Sequence, residues 1–234
     1  MDITKRAGVL VWLGLLLSGC AVMSEDECLS ADWHLIGYED GVAGLSSSYV
    51  TERREACAKH DITLDFESYR AGRGEGLEQY CVPSSGFRLG HSGRNYNGAC
   101  VYYDEAAFLG AYRQGRDLRE LEQRVSNKRS ELASARTGLD EVAETILATN
   151  DDIVGVEELL ADYTASRMKN ATLVEKVQVQ EEQDNLLERR TLLTDRLMED
   201  EREQRRLRAL IPRLEGELSA LEDQLAEMRA GIDY

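Results

Sequence analysis

Residues 118–146 read LRELEQRVSNKRSELASARTGLDEVAETI, and their spacing decides the fold. With Leu118 as the first heptad position, Leu121, Val125, Lys128, Leu132, Ala135, Leu139, Val142 and Ile146 follow in alternating steps of three and four. A stripe of that period winds slowly around an α-helix and must be covered by a partner helix. The one polar residue on it, Lys128, weakens the packing locally but helps to fix register. A second seam runs through Leu186, Arg190, Leu193, Leu197, Asp200, Gln204, Leu207, Ile211, Leu214, Leu218, Leu221, Leu225 and Met228. Between the two, Asn150, Asp151, Asp152 and Gly155 give the expected turn of an antiparallel hairpin, with a parallel homo-oligomer as the alternative. Pro212, inside the second seam, lacks a backbone donor and predicts a kink or a split there.

Outward from this coiled coil the composition changes. Residues 28–100 carry ten of the nineteen glycines and the cysteines Cys28, Cys57, Cys81 and Cys100. Four helical segments are expected. The first covers about Ala31–Gly44 and the second about Tyr49–Lys59. A third is capped by Thr63, with Asp65 and Glu67 in its first turn, and ends near Tyr80 at Pro83. The fourth begins near Glu105. Residues 82–100, rich in glycine, serine and asparagine, read as an irregular loop or short hairpin. Tyr-x-x-Gly occurs at Tyr38, Tyr69 and Tyr112 as a faint internal echo, and Gly37, Gly41 and Gly44 share a helix face, as do Gly72 and Gly76. Glycines repeated at helical spacing, each costing about 1 kcal/mol relative to alanine, imply close helix approach.

The helix reading also selects a disulfide pairing. Cys28 precedes the first helix and Cys57 ends the second, so a hairpin brings them to one end. Cys81 ends the third and Cys100 precedes the fourth. Cys57 and Cys81 would lie at opposite ends of the third helix, roughly 24 Å apart at 1.5 Å per residue, against the about 7 Å that a disulfide allows. The expected bridges are Cys28–Cys57 and Cys81–Cys100.

The amino-terminal residues carry an address. Lys5 and Arg6 precede an apolar run from Ala7 to Leu17, too short to span a bilayer, which ends in small residues. Leu17-Ser18-Gly19-Cys20 resembles the bacterial lipobox, and that resemblance implies lipid attachment at Cys20 after removal of residues 1–19. Ala21 in place of the aspartate that retains such proteins in the inner membrane implies the outer membrane, facing the periplasm. The expected domains are a signal peptide over 1–19, a cysteine-containing helical domain over 20–116 and a coiled coil over 117–234.

A second resemblance rests on a longer string. Cys28, Asp32-Trp33, Ile36-Gly37-Tyr38-x-Asp40-Gly41, Cys57, Tyr69-x-x-Gly72-Arg73-x-x-Gly76-Leu77-x-x-Tyr80-Cys81, Gly90-x-x-Gly93 and Tyr96-x-Gly98-x-Cys100 resemble an uncharacterised domain-of-unknown-function family of Gram-negative envelope lipoproteins. The resemblance implies no activity, cofactor or catalytic residue. It does mark Trp33, Tyr38, Asp40, Gly41, Tyr69, Gly72, Arg73, Gly76 and Tyr80 as a candidate interaction motif.

The chemistry classes narrow accordingly. Forty-four acids against 28 bases give a net charge of −16, which repels nucleic-acid phosphates. His34, His60 and His91 show no i, i+4 metal spacing, the cysteines show no C-x-x-C, and residues 72–76 lack the lysine and hydroxyl residue of a phosphate loop. No metal or cofactor is expected. Glu39 and Asp40 are adjacent and point apart on a helix, so Asp40 reads as a packing or capping acid. Arg70 and Arg73 beside Tyr69 read as cover over a helix groove in preference to an anion-binding surface. The function expected is non-enzymatic: an envelope lipoprotein that meets an unknown envelope protein, or itself, through the coiled coil. The rival is an enzyme or activator acting on envelope polymers such as peptidoglycan, using Asp40 or Glu39.

Overall fold

The computed structural model of the chain describes residues 23–163, 167, 169 and 171–232. Residues 1–19, read from the sequence as a signal peptide, and Cys20 lie outside them. The described residues form seven helices and no strand: α1 (Glu25–Ser30), α2 (Trp33–Val42), α3 (Ser48–Ala58), α4 (Phe66–Tyr80), α5 (Pro83–His91), α6 (Glu105–Asp162) and α7 (Leu173–Ala230). The chain is mainly α, as its periodicity predicts. It divides into two compact units with the boundary after Arg119, so α6 begins in one and continues through the other.

Local chemistry explains where the helices begin. Ser24 and Glu27 form a reciprocal capping box on α1, a helix not expected from the sequence although Ser-x-x-Glu is its signature. Asp32 caps α2 by accepting from the Leu35 amide at 3.0 Å. Asp65, not Thr63, caps α4 through the Ser68 amide, also at 3.0 Å. The 82–100 segment is not a loop throughout. Pro83 opens α5 as its first residue, where the missing donor costs nothing because that amide would have no helical partner. Asp104 repeats the aspartate cap at the start of α6.

The first unit is built twice over. α2 crosses α4 with glycine on both sides: a Cβ on Gly37 would stand 2.1 Å from the Tyr69 carbonyl oxygen, and one on Gly72 1.9 Å from that of His34. α5 crosses the start of α6 in the same manner, Gly86 against Phe108 at 2.3 Å and Gly90 against Tyr112 at 2.0 Å. Gly76, against Tyr38, has its counterpart in Gly115, against Phe87. No side chain fits between backbones this near, which permits weak Cα–H···O contacts across each crossing. Each pair of crossed helices has its own core. One gathers Met23, Trp33, Leu64 and Tyr69 around Cys28 and Cys57. The other gathers Leu77, Leu89, Phe108 and Tyr112 around Cys81 and Cys100. The bridges are Cys28–Cys57, with Cα atoms 5.6 Å apart, and Cys81–Cys100, at 5.5 Å.

The second unit is an antiparallel helical hairpin. Glu122 pairs with Arg229, Arg129 with Glu222 and Arg136 with Glu215. Every step of seven up α6 is matched by a step of seven down α7. Such exposed pairs report register more than they stabilise. Between them Leu132, Ala135, Leu207 and Leu214 are buried together. Lys128 on the seam reaches Glu131 at 2.7 Å and Glu217 at 2.9 Å, which hold its ammonium above the usual range.

One expectation for this unit fails. The turn is not at 150–155: α6 runs on to Asp162, and its seam continues through buried Thr149, half-buried Ile153 and buried Val156. Asn150, Asp151, Asp152 and Gly155 all lie on the exposed face, and the Asn150 side chain donates to the Ile146 carbonyl within the helix. A polar solvent face that weakens a helix by at most about 1 kcal/mol per residue does not overcome a seam that stays covered. Pro212 does not split α7. It is exposed, so the carbonyl it leaves unbonded faces water, while Leu207 and Leu214 on either side remain buried.

Candidate functional site

The motif residues converge on the α2–α4 crossing. Asp40, 4% exposed, is the one buried carboxylate among the described residues. Its Oδ2 accepts from the Tyr69 hydroxyl at 2.8 Å and its Oδ1 from Arg53 Nη2 at 2.6 Å. Arg53, on α3, carries no motif that marks it in the sequence; its role depends on how α3 folds back over α2. Burial first, then the Asp40 hydrogen bond, pushes the Tyr69 hydroxyl far above the ordinary tyrosine value. Arg73 donates to the Leu45 carbonyl at 2.8 Å, tying α4 to the loop after α2. The Nε atoms of Arg53 and Arg73 are buried without a hydrogen-bond partner among the described residues.

The remaining motif positions divide between packing and surface. Trp33 is buried in the first core, and Gly41, Gly72 and Gly76 form the close backbone approach. The Tyr38 hydroxyl accepts from Gln79 at 2.9 Å, which latches α2 to α4 on the solvent side. The Tyr80 ring lies under Gly44, whose φ of +65° lets the chain turn over it, and 5.4 Å from the Phe108 ring. Tyr80 therefore links the two repeats. Arg70 is exposed and paired with Glu67, and Glu39 is exposed on the face of α2 away from Asp40.

The second repeat replaces this polar network with aromatic packing. Leu89 stands where the pattern places Asp40, and Phe108 where it places Tyr69. Tyr96 fills the space between, 5.1 Å from Phe108, with its hydroxyl donating to Glu105 at 2.7 Å and accepting from the Cys100 amide at 2.8 Å. Burial, reinforced by Glu105, pushes the Tyr96 hydroxyl up to about 12. The arrangement around Asp40 thus holds helices together: a carboxylate occupied on both oxygens and shut from solvent supplies packing and orientation. Among the described residues no cluster of His, Cys, Asp and Glu is placed to hold a metal ion, and no helix is long and apolar enough to cross a membrane.

The hairpin has a different kind of surface. Its lower half, over 120–146 on α6 and 199–230 on α7, exposes no large apolar side chain. The half toward the reversal exposes Leu147, Val154 and Leu159 on α6, and Leu173, Val174, Val177, Leu192 and Met198 on α7. Leu173, 85% exposed, and Val174, 73%, stand in water on the first turn of a helix.

Comparison with known proteins finds no matching curated protein and no matching solved structure. Residues 32–117, which begin at the Asp32 cap and take in both glycine-packed crossings, match the model of the uncharacterised family described as "Protein of unknown function (DUF2799)", and it is to this family that the disulfide-bonded segment of the chain is similar.

Proposed function

We propose that the protein is a lipoprotein of the bacterial outer membrane, anchored through Cys20 and facing the periplasm, that works without catalysis by presenting the distal half of its helical hairpin to another envelope protein. The observation that carries this reading is the asymmetry of the hairpin. Apolar side chains exposed in one half of a coiled coil, with none in the other, mark a surface kept for contact. The two disulfides agree with an oxidising compartment, and the tetrapeptide ending at Cys20 supplies the anchor. Against the rival enzymatic reading, the Asp40 carboxylate is engaged by Tyr69 and Arg53 and is not presented to a substrate.

Photo-crosslinking in cells tests the proposal. A crosslinking residue at Leu173 or Val177 is expected to capture a reproducible protein, and the same residue at Arg208 is expected to capture none. Equal patterns at both places would overturn the interaction role. The anchor is tested separately: labelled palmitate is expected in the wild-type protein and absent from Cys20→Ala.

A further inference from the structure

Where the two repeats meet, a cavity of about 400 Å³ opens between the ends of α2 and α4 and the face of α5. Gln79, Tyr80, Ser85, Arg88, Leu89 and Arg94 line it. Its volume falls in the range of small-molecule sites, roughly 300–1,000 Å³. Its lining holds two arginines and no carboxylate. The chain has a net charge of −16, and many of its arginines sit against carboxylates: Arg53, Arg70, Arg129, Arg136, Arg206, Arg213 and Arg229 among them. Arg88 and Arg94 do not. Among the described residues, the Arg88 side chain donates to the Ser85 hydroxyl at 2.9 Å and that of Arg94 to the Ser92 hydroxyl at 3.2 Å, and neither guanidinium has a carboxylate partner.

The donors are also held in place. Ser85 is 7% exposed and its oxygen is fixed by Arg88. The Tyr80 ring is clamped between Gly44 and Phe108, yet its hydroxyl has no hydrogen-bond partner among the described residues. Arg94 is near enough for its charge to act on that hydroxyl. Leu89 gives the cavity an apolar wall. Two positive charges without counterions, a free phenolic donor and a small apolar surface form a set of one chemistry: guanidinium groups and hydroxyls recognise carboxylate and phosphate oxygens.

We infer that this pocket binds a small organic oxyanion, a carboxylate or a phosphate monoester, its charge met by Arg88 and Arg94, its oxygen hydrogen-bonded by Tyr80, and its carbon skeleton laid against Leu89. The site does not depend on the hairpin or its partner. It lies wholly in the first unit and forms because the end of one repeat abuts the second.

Titration calorimetry of the purified full-length lipoprotein in detergent, at low salt, tests it with two probes, phenyl phosphate and benzoate. Binding of at least one is expected, weakened by about tenfold or more in Arg88→Gln/Arg94→Gln, since a lost hydrogen bond to a charged group carries a factor of that size. Arg54→Gln/Arg70→Gln removes the same charge from other exposed positions of the unit and is expected to leave the affinity unchanged. Tyr80→Phe keeps the ring packing, removes only the hydroxyl, and is expected to weaken binding with no change in circular dichroism. Binding of phenyl phosphate alone, of benzoate alone or of both supports the site and names the group it takes. Absence of binding to both probes, or equal weakening by the two arginine pairs, would overturn it.

Discussion

The hydroxyl of Tyr69 donates to Oδ2 of Asp40 across 2.8 Å, and the two residues are 1% and 4% exposed. Tyr69→Phe keeps the ring in the first core and leaves a buried carboxylate oxygen without its donor. A destabilisation of about 1–3 kcal/mol is expected, the cost of one unsatisfied buried acceptor. Trp33 lies in the same core and is the only tryptophan after residue 20. Its fluorescence during urea denaturation of a chain truncated to residues 20–234 reads the effect directly; an unchanged midpoint would refute the assignment.

The same hydroxyls set the response to alkali. Burial, joined by a carboxylate partner, raises the values of both Tyr69 and Tyr96 in the folded chain, the latter to about 12, from an ordinary 10. A raised folded value means that the protonated form is favoured by folding. The stabilisation is therefore complete below pH 10 and is lost as pH rises from 10 toward 12. Phenolate absorbance is expected to rise for these tyrosines only as the first unit unfolds, and stability measured at pH 9 is expected to exceed that at pH 11. Free titration of every tyrosine near pH 10 in the folded protein would contradict the burial of both hydroxyls.

Neighbouring glycines on α4 are expected to respond with opposite sign. A Cβ at Gly72 would meet the His34 carbonyl oxygen at 1.9 Å, and both groups are backbone, so neither can move aside cheaply. Gly72→Ala is expected to cost about 3 kcal/mol, the upper part of the overpacking range. Gly74 has nothing within 4 Å of the same position. Gly74→Ala is expected to stabilise by up to about 1 kcal/mol through helix propensity alone. Urea midpoints of the two variants decide the matter.

Gly155→Ala tests the continuity of α6. The site is exposed, in mid-helix, with open space around its missing Cβ. A gain of about 1 kcal/mol is expected, seen as a higher melting temperature by far-ultraviolet circular dichroism, which reports chiefly the two long helices. Were the chain to turn at 150–155, the same change would be neutral or harmful.

How far the sequence revealed all this follows from the range of each interaction. The heptad stripe is legible because it repeats, and the disulfide pairs because helix length limits what two cysteines can reach. The sequence suggests a turn at 150–155 because Asn150, Asp151 and Asp152 weaken a helix locally, while the covered seam that overrides them is visible only if Thr149 is accepted as a seam residue. Pro83 reads as a stop in the sequence because proline ends one helix and starts the next with equal ease; in the structure it follows an extended Val82 and opens α5. The Asp40–Tyr69–Arg53 network joins residues of three helices, and no spacing in the chain announces it. The Arg88 and Arg94 pocket lies in a segment read largely as loop, where no surface could be anticipated. The Tyr-x-x-Gly echo at 69 and 112 does not mark the repeated crossing, because Tyr112 and Gly115 stand where the first copy has Arg73 and Gly76, while Phe108 holds the position of Tyr69.

The two disulfides follow one another along the chain without interleaving, 29 and 19 residues apart in sequence. A chain delivered from its amino terminus into an oxidising compartment therefore shows Cys57 to Cys28 before either later cysteine has emerged. With the Cys20 thiol, which emerges first of all, withheld by the proposed lipid, pairing in order of appearance is the native pairing. A nested or crossed arrangement would need a wrong bond to form and be exchanged, a process of seconds to hours. In such a compartment, and with Cys20 blocked, the doubled architecture of the first unit would make oxidation vectorial, the native bonds forming without exchange.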